Sequence, residues 1–486
     1  MNLRVVLKAI QIAASLAVAL SVSTLNASTF EHQVEFHVPE LGGGVGLIDQ
    51  QKERQIGEKV YREVQRQLHV LNNPWLEDQL FATFSHILTQ TQLSNPIALI
   101  VVNDPQINAF AVPGGLFALN TGLLSSAKNM DEVAGVMAHE IAHVTQRHYS
   151  RSQDAFKGQG LLALAGVVVG ALVASQADGD AGTALMMGTQ AALADRQLSY
   201  SRNQEREADR IGMQFMYKAG YNPQSMADFF ETMHRATSRL SFIPDFWLTH
   251  PLTSERMSEA RLRANQLPQV KSSLYDENFE IMRLYSMVLS KQANEQQLKS
   301  MAENGRKYAP TLALAAFYLQ QGQFNDAQQA LNRLQQHQRL HHLHTLLQTE
   351  VYLAQNNIAK ALNIIESPAR IMPENRALNY KYAEVLIRVG QYSNAERILQ
   401  RFSQTHPRDI QVWRLLQRLA DADQASPMRN IHVLRYRAEA EYWSGLEENA
   451  IKSLLQAERL TQQHEALAAM VKARLNQMQK ERQMRI

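Results

Sequence analysis

Residues Met130–Thr145 read MDEVAGVMAHEIAHVT and follow Asn129. Asn129 with Glu132 three positions later is a capping-box arrangement, and Val133, Met137, Ile141 and Val144 then recur on one face of a helix. At about 100° per residue, His139 and His143 fall together, about 135° from the centre of that apolar face. The apolar stripe anchors the helix while both imidazoles point into a cleft. Two neutral nitrogen donors one turn apart suit zinc, and Glu140 beside them is placed as the general base for a water whose pKa falls from about 15.7 towards 7 on the metal. Glu140 then passes the proton to the leaving amine. One zinc per chain is expected.

Zinc needs a third protein ligand. In metzincin-type motifs a glycine and a third histidine follow, but Gln146 and Tyr149 occupy those places, so the ligand is expected to be an acid on a second helix. Ser201–Asp209 (SRNQEREAD) offers Glu205, Glu207 and Asp209. Glu205 and Asp209 are one turn apart and share a face, whereas Glu207 lies about 200° from Glu205. Glu205 is therefore assigned to the metal. Asp209 is counted with Glu140 as catalytic, through a hydrogen bond that orients a ligating histidine. Glu207 is expected in solvent, as is His148, which sits on a different helical face from the histidine pair.

The 486 residues allow two to four domains. A net charge of +3 predicts no extended polyanion-binding surface, so nucleic acid is not an expected partner. Basic residues Arg4 and Lys8, an apolar run from Ala9 to Val22 and small residues near Ala27 read as a signal peptide over 1–27. The run is short of the roughly 20 residues that span a bilayer. With no cysteine, neither a disulfide framework nor a lipoprotein anchor is available. A soluble protein of a bacterial periplasm is the expectation. Ile97–Val102 has a strand composition, and Asn108–Leu124 (NAFAVPGGLFALNTGLL) reads as two strands around Pro113-Gly114-Gly115, a hairpin leading to the metal helix. The uncharged segment 158–177 is read as a buried helix packed through its glycines and alanines against 181–194. Contact with a membrane or an apolar client is the alternative reading.

A boundary is expected near Pro268, after which a repeat emerges. Ala327, Ala361 and Ala395 are 34 residues apart, the tetratricopeptide period, with a turn residue (Gly322, Asn356, Gly390) five before each alanine. Pro373 and Pro407 keep the same spacing, as do Tyr318 and Tyr352. Gly445 and Ala450 form a fourth copy, displaced by an insertion near Asp421–Asn430, and Ala293 falls one period before Ala327. Stacked helix pairs with a concave, partner-binding face follow.

HEIAH followed by SRNQEREAD resembles the zinc peptidase family that includes HtpX and the CAAX prenyl endopeptidases. The signal peptide, the lack of multiple hydrophobic spans and the repeat array resemble its periplasmic members. The resemblance covers essentially the whole chain, and its metal motifs are specific where repeats alone are not. It implies a mainly α protein, with a zincin-type (gluzincin) α+β metallopeptidase domain and small sheet over 28–270 and an α-solenoid of tetratricopeptide repeats over 271–486. The implied function is a periplasmic zinc endopeptidase that degrades misassembled outer-membrane β-barrel proteins and assists their assembly. Its partners would be unfolded or misassembled outer-membrane proteins, the barrel-assembly machinery through the repeats, and peripherally the outer membrane. A repeat-based chaperone or scaffold with little proteolysis is the alternative. Leu248–Arg256 (LTHPLTSER) also resembles that family, which implies His250 as an additional zinc ligand that holds the enzyme latent. Read from the residues alone, His250 before Pro251 is a loop histidine. An extended client is expected on a strand edge within Asn108–Leu119. Tyr200, Arg202 and His250 are unranked candidates to stabilise the oxyanion.

Overall fold

Asn73 sets the first register of the described chain. Its side chain accepts a hydrogen bond from the Leu76 amide, and Pro74 fills the first helical position, so a helix begins there. That helix, α2 (Pro74–Leu88), follows α1 (Gln50–Gln67) and precedes three strands: β1 (Ala98–Val102), β2 (Ala109–Val112) and β3 (Leu116–Asn120). The computed structural model describes residues 50–93, 96–148, 202–237, 250–270, 276–303, 308–334, 341–461 and 463–483. The signal peptide, the segments 158–177 and 181–194, and Tyr200 lie outside the described residues.

The strand order is β1-β3-β2, with β1 parallel and β2 antiparallel to β3. The hairpin around Pro113-Gly114-Gly115 is thus β2 and β3, and of these two only β2 is an outer strand; the broader edge expected over Asn108–Leu119 is corrected because β3 is central. Period-2 alternation divides β3 between two layers. Leu116 and Ala118 enter the core shared with α1, while Phe117 packs edge-on against Phe84 of α2, centroids 4.7 Å apart.

After the sheet come α3 (Thr121–Ser126), α4 (Met130–Thr145), α5 (Arg202–Lys218), α6 (Pro223–Thr237) and α7 (Ser254–Gln266). Helical hairpins follow: α8 (Glu277–Leu289) with α9 (Glu295–Glu303), α10 (Tyr308–Gln320) with α11 (Phe324–Asn332), α12 (His342–Ala354) with α13 (Ile358–Ile371), and α14 (Arg376–Arg388) with α15 (Tyr392–Thr405). Then come α16 (Ile410–Ala422), α17 (Arg429–Trp443), α18 (Glu447–Leu460) and α19 (Glu465–Gln483).

The 34-residue period has a local cause. Gly322, Asn356 and Gly390 each leave the first helix of a pair with φ of +73°, +57° and +76°, a left-handed exit that glycine and asparagine accept more readily than other residues. The fourth residue of the next helix, Ala327, Ala361 or Ala395, is fully buried where the two helices close. Gly445 and Ala450 repeat this between α17 and α18. Two expectations are corrected. Ala293 lies in the turn after α8, because that turn runs on to Glu295, and Leu298 takes the buried fourth position of α9. The displacement of the fourth copy comes from a whole helix, α16, which itself starts 34 residues after α14.

The last helices return to α1. Tyr61 meets Trp443 edge-on at 6.1 Å, and Arg62 lies 4.4 Å over the Tyr442 ring while bonding Glu447 at 2.9 Å. Ile56, Val60 and Val64 of α1 share one core with Leu454 and Leu475. On the other flank Arg376 of α14 reaches Asp78 (2.7 Å) and Glu77 (3.0 Å) of α2, and Asp409 at 2.8 Å. The described residues belong to one compact unit. Among them no helix is long and apolar enough to cross a membrane.

Candidate metal centre

Helix α4 is capped as its sequence suggests: Asn129 Oδ1 accepts from the Glu132 amide at 2.9 Å, while the Glu132 carboxylate reaches one residue beyond the cap to the Lys128 amide at 2.8 Å. Helix α5 crosses α4 in near contact. Gly212 makes this crossing feasible, since a Cβ there would stand 2.9 Å from the Ala138 carbonyl and the His139 nitrogen. Because α5 crosses at that point, Asp209 and Glu205, one and two turns earlier, lie over the histidine pair.

The resulting cluster is buried. His139 Nε2 and His143 Nε2 are 3.0 Å apart, and Glu205 stands 3.5 Å and 3.4 Å from them. His250 Nδ1 is 3.0 Å from Glu205 and 3.5 Å from His139 Nε2. One donor atom from each of these four residues lies within 4.8 Å of the others, a span that a single metal ion can bridge. Asp209 Oδ1 lies 2.9 Å from His139 Nδ1, the nitrogen facing away from the cluster.

The charge distribution tests the fit. Of three buried carboxylates, Glu140, Glu205 and Asp209, the last two pair with the guanidinium of Arg256, the one permanent buried cation at the cluster among the described residues. Burial alone would raise Glu205, yet His250, Arg256 and His143 hold it well below the usual carboxylate range. Burial likewise opposes the charge on Asp209 but is outweighed by Arg256 and His139. His143 is kept neutral by its burial. For His139, burial favours the neutral ring, but Asp209 and Glu205 prevail and push it up to about 10. The pull of two carboxylates on His139 marks a cluster that favours a positive charge. Two imidazoles and a carboxylate, with a third imidazole beside them, are a zinc-type donor set, and the residues present fit that ion.

Glu140 differs from its neighbours. Its Oε1 is buried without a hydrogen bond, 3.5 Å from His250 Nε2, and its carboxylate accepts from the Ala111 amide on β2. Burial raises its pKa, partly offset by His250 and His139, which favours proton acceptance. The amide of Asn120 bonds the Asn108 carbonyl, so by antiparallel alternation the backbone of Ala109 and Ala111 faces away from β3. Among the described residues no strand pairs with this side of β2, and the general-base candidate meets it at the Ala111 amide.

Two sequence expectations fail. His148 is fully buried, with Nδ1 3.0 Å from His143 Nδ1, and Glu207 pairs with its Nε2 at 3.1 Å. Helix α4 stops at Thr145 and Arg147 adopts φ +50°, so the helix is broken before His148 and the helical-face projection no longer applies to it. Glu207 is only partly exposed and pairs with His148.

Arg256 was not singled out by sequence reasoning. It forks onto Asp209 through two 2.8 Å bonds and reaches Glu205 at 2.7 Å. A signal existed: Thr253 caps α7, which places Arg256 in the first turn, where the helix dipole disfavours a cation. Of the three oxyanion candidates, His250 joins the cluster, Arg202 is exposed at the start of α5, and Tyr200 lies outside the described residues.

The peptidase family M48 profile matches residues 73–264, and a tetratricopeptide repeat profile matches 352–419. The β-barrel assembly-enhancing protease of Escherichia coli (strain K12) is 28% identical over 450 residues, 91% of this chain and 91% of the relative. The protein of that name from Yersinia pestis is 30% identical over 455 residues, 91% of this chain and 92% of the relative. The mitochondrial metalloendopeptidase OMA1 of Schizosaccharomyces pombe is 30% identical over 192 residues, 39% of this chain and 54% of the relative.

Proposed function

The chain belongs to peptidase family M48 and is a zinc metalloendopeptidase, and from that premise we propose a periplasmic enzyme that cleaves unfolded or misassembled outer-membrane β-barrel proteins and assists their assembly. The observation that carries this reading is the convergence of four buried donors, His139, His143, Glu205 and His250, with a buried carboxyl oxygen of Glu140 that has no hydrogen bond and with the side of β2 that no described strand pairs. His139, His143 and Glu205 hold the ion in this reading. Bound zinc supplies a Lewis acid that polarises the scissile carbonyl and acidifies the attacking water. Glu140, oriented by the Ala111 amide, takes the proton from that water and delivers it to the leaving nitrogen. Asp209 fixes the tautomer and rotation of His139.

A client strand added to β2 is recognised through its backbone, which only an unfolded segment exposes. This supports unfolded barrel proteins as substrates, as do relatives named for barrel assembly. The sequence order of the first 27 residues supports export to the periplasm. We assign 28–270 to the peptidase and 271–486 to the repeats. A cavity of about 430 Å³ between Trp75 and the first helices of the pairs, lined by Tyr285, Leu346, Tyr380, Lys381 and Arg418, supports partner or client contact with the assembly machinery on that face.

His250 sits against both Glu205 and Glu140 and so obstructs the place where a scissile bond must enter. In this reading it holds the enzyme latent. Purified parent and His250→Ala, each offered a β-barrel protein unfolded in urea and then diluted, and the same protein folded in detergent, should cleave only the unfolded form, with His250→Ala several-fold faster. Equal or lower activity in a folded His250→Ala protein contradicts the latch, and equal cleavage of the folded barrel contradicts the substrate class.

A further inference from the structure

A side-chain chain runs outward from the metal cluster through His143 and His148 to the partly exposed Glu207. His143 Nε2 faces the other donors, and its Nδ1 lies 3.0 Å from His148 Nδ1. His148 Nε2 lies 3.1 Å from Glu207 Oε2. His148 is held on both sides, since Gln204 Nε2 donates to its carbonyl at 3.0 Å and its ring stacks edge-on to His143, centroids 4.8 Å apart. Glu205, the proposed acidic ligand, sits between Gln204 and Glu207 in sequence, so the first turns of α5 hold both the cluster and this chain.

The order of protons follows from valence. A neutral imidazole carries one N–H and one lone pair. If His143 offers its Nε2 lone pair to the metal, its proton is on Nδ1 and must be donated to His148. His148 Nδ1 then accepts, which leaves its own proton on Nε2. That proton needs an acceptor, and the Glu207 carboxylate is placed to be one. A single carboxylate at the outer end thereby selects the tautomers of two histidines in series.

We propose that His148 and Glu207 form a positioning relay that holds His143 in its metal-binding tautomer and rotation, as Asp209 does directly for His139. The inference rests on His143 being a zinc ligand. The relay explains why a fully buried imidazole stands between a proposed metal ligand and a carboxylate. It also makes the two histidine ligands unequal: His139 is oriented by an adjacent carboxylate, His143 by one acting through a neutral ring.

Zinc affinity is the readout, measured by competition with a chromogenic chelator on full-length protein, alongside the thermal midpoint of the metal-free form. Loss of an outer hydrogen-bond partner of a metal ligand lowers affinity about 10- to 100-fold. Glu207→Ala and His148→Ala should each weaken zinc binding on that scale, with the metal-free midpoint of Glu207→Ala near the parent's. The double variant should bind no more weakly than His148→Ala, because Glu207 acts only through His148. Glu207→Gln, whose carbonyl oxygen can still accept, should recover most of the affinity. Parent-like affinity in Glu207→Ala, or losses that add in the double variant, overturns the relay, the latter showing a through-space charge effect. Should His148→Ala not fold, Glu207→Ala against Glu207→Gln carries the test alone, since equal weakening in both also overturns it. Undiminished zinc binding in His143→Ala removes the ligand assignment and the relay together, whereas loss in His143→Ala with no effect of Glu207→Ala removes the relay only.

Discussion

Glu140→Gln is expected to lower peptide hydrolysis by about 10²- to 10⁴-fold, the usual contribution of a positioned general base, with zinc content unchanged. The separation of the two effects follows from geometry. Glu140 does not belong to the four-donor cluster, which His250 Nε2 brings to 3.5 Å from its carboxylate. Glutamine can keep contact with the Ala111 amide through its carbonyl oxygen, so β2 and α4 stay in register while the capacity to accept a proton is lost. Cleavage of casein by chelator-treated and zinc-reconstituted protein reads the rate, and elemental analysis of the same samples reads the metal. Activity within threefold of the parent would remove Glu140 from the mechanism. If this inactive variant supports barrel assembly as well as the parent does, the repeat-based chaperone reading becomes the main role.

Arg256→Ala should cost the metal-free protein about 3–5 kcal/mol of unfolding free energy, the typical effect of removing one partner from a buried ion pair. Arg256 is 3% exposed and serves two carboxylates, each nearly or wholly buried. Without it Asp209 and Glu205 repel each other, and two hydrogen bonds to Asp209 and a 2.7 Å ion pair with Glu205 are lost. Zinc should restore part of the loss, since the ion replaces some of the missing positive charge. Arg256→Lys should fall between, because an ammonium keeps the charge but cannot fork onto Asp209. Urea unfolding with and without zinc measures these differences. A metal-free loss below about 1 kcal/mol would mean that the carboxylates are neutralised by other means.

The features that were legible in the sequence share a short range. The helix bearing His139 and His143 declares itself by period and cap within Asn129–Val144, and the repeat turns at Gly322, Asn356 and Gly390 declare themselves because a left-handed exit restricts residue choice. The hairpin was marked by Pro113-Gly114-Gly115, but which strand is central depends on the parallel pairing of β1 with β3, a contact that no local pattern encodes. The same limit hid the packing of Trp443 on Tyr61. Within the site, Glu205 and Asp209 could be proposed because one helix carries both. His148 escaped because a face projection assumes a helix that in fact ends three residues earlier, and Glu207 escaped with it because its partner was misplaced. Arg256 lay in a quoted stretch, yet its role needs α7 to meet α5, which is tertiary. His250 stood open between loop histidine and ligand until the fold brought it to 3.0 Å from Glu205.

Zinc content of the purified parent and of Glu205→Gln, measured after identical exposure to limiting zinc and desalting, tests the proposed metal site most directly. Glu205 touches His139, His143 and His250 and is 1% exposed, so its replacement removes the one anionic donor of the cluster while preserving its shape. The expected result is about one zinc per parent chain and little or none in a folded Glu205→Gln protein. Full occupancy in Glu205→Gln would contradict the assignment and leave the ion to be held by other residues.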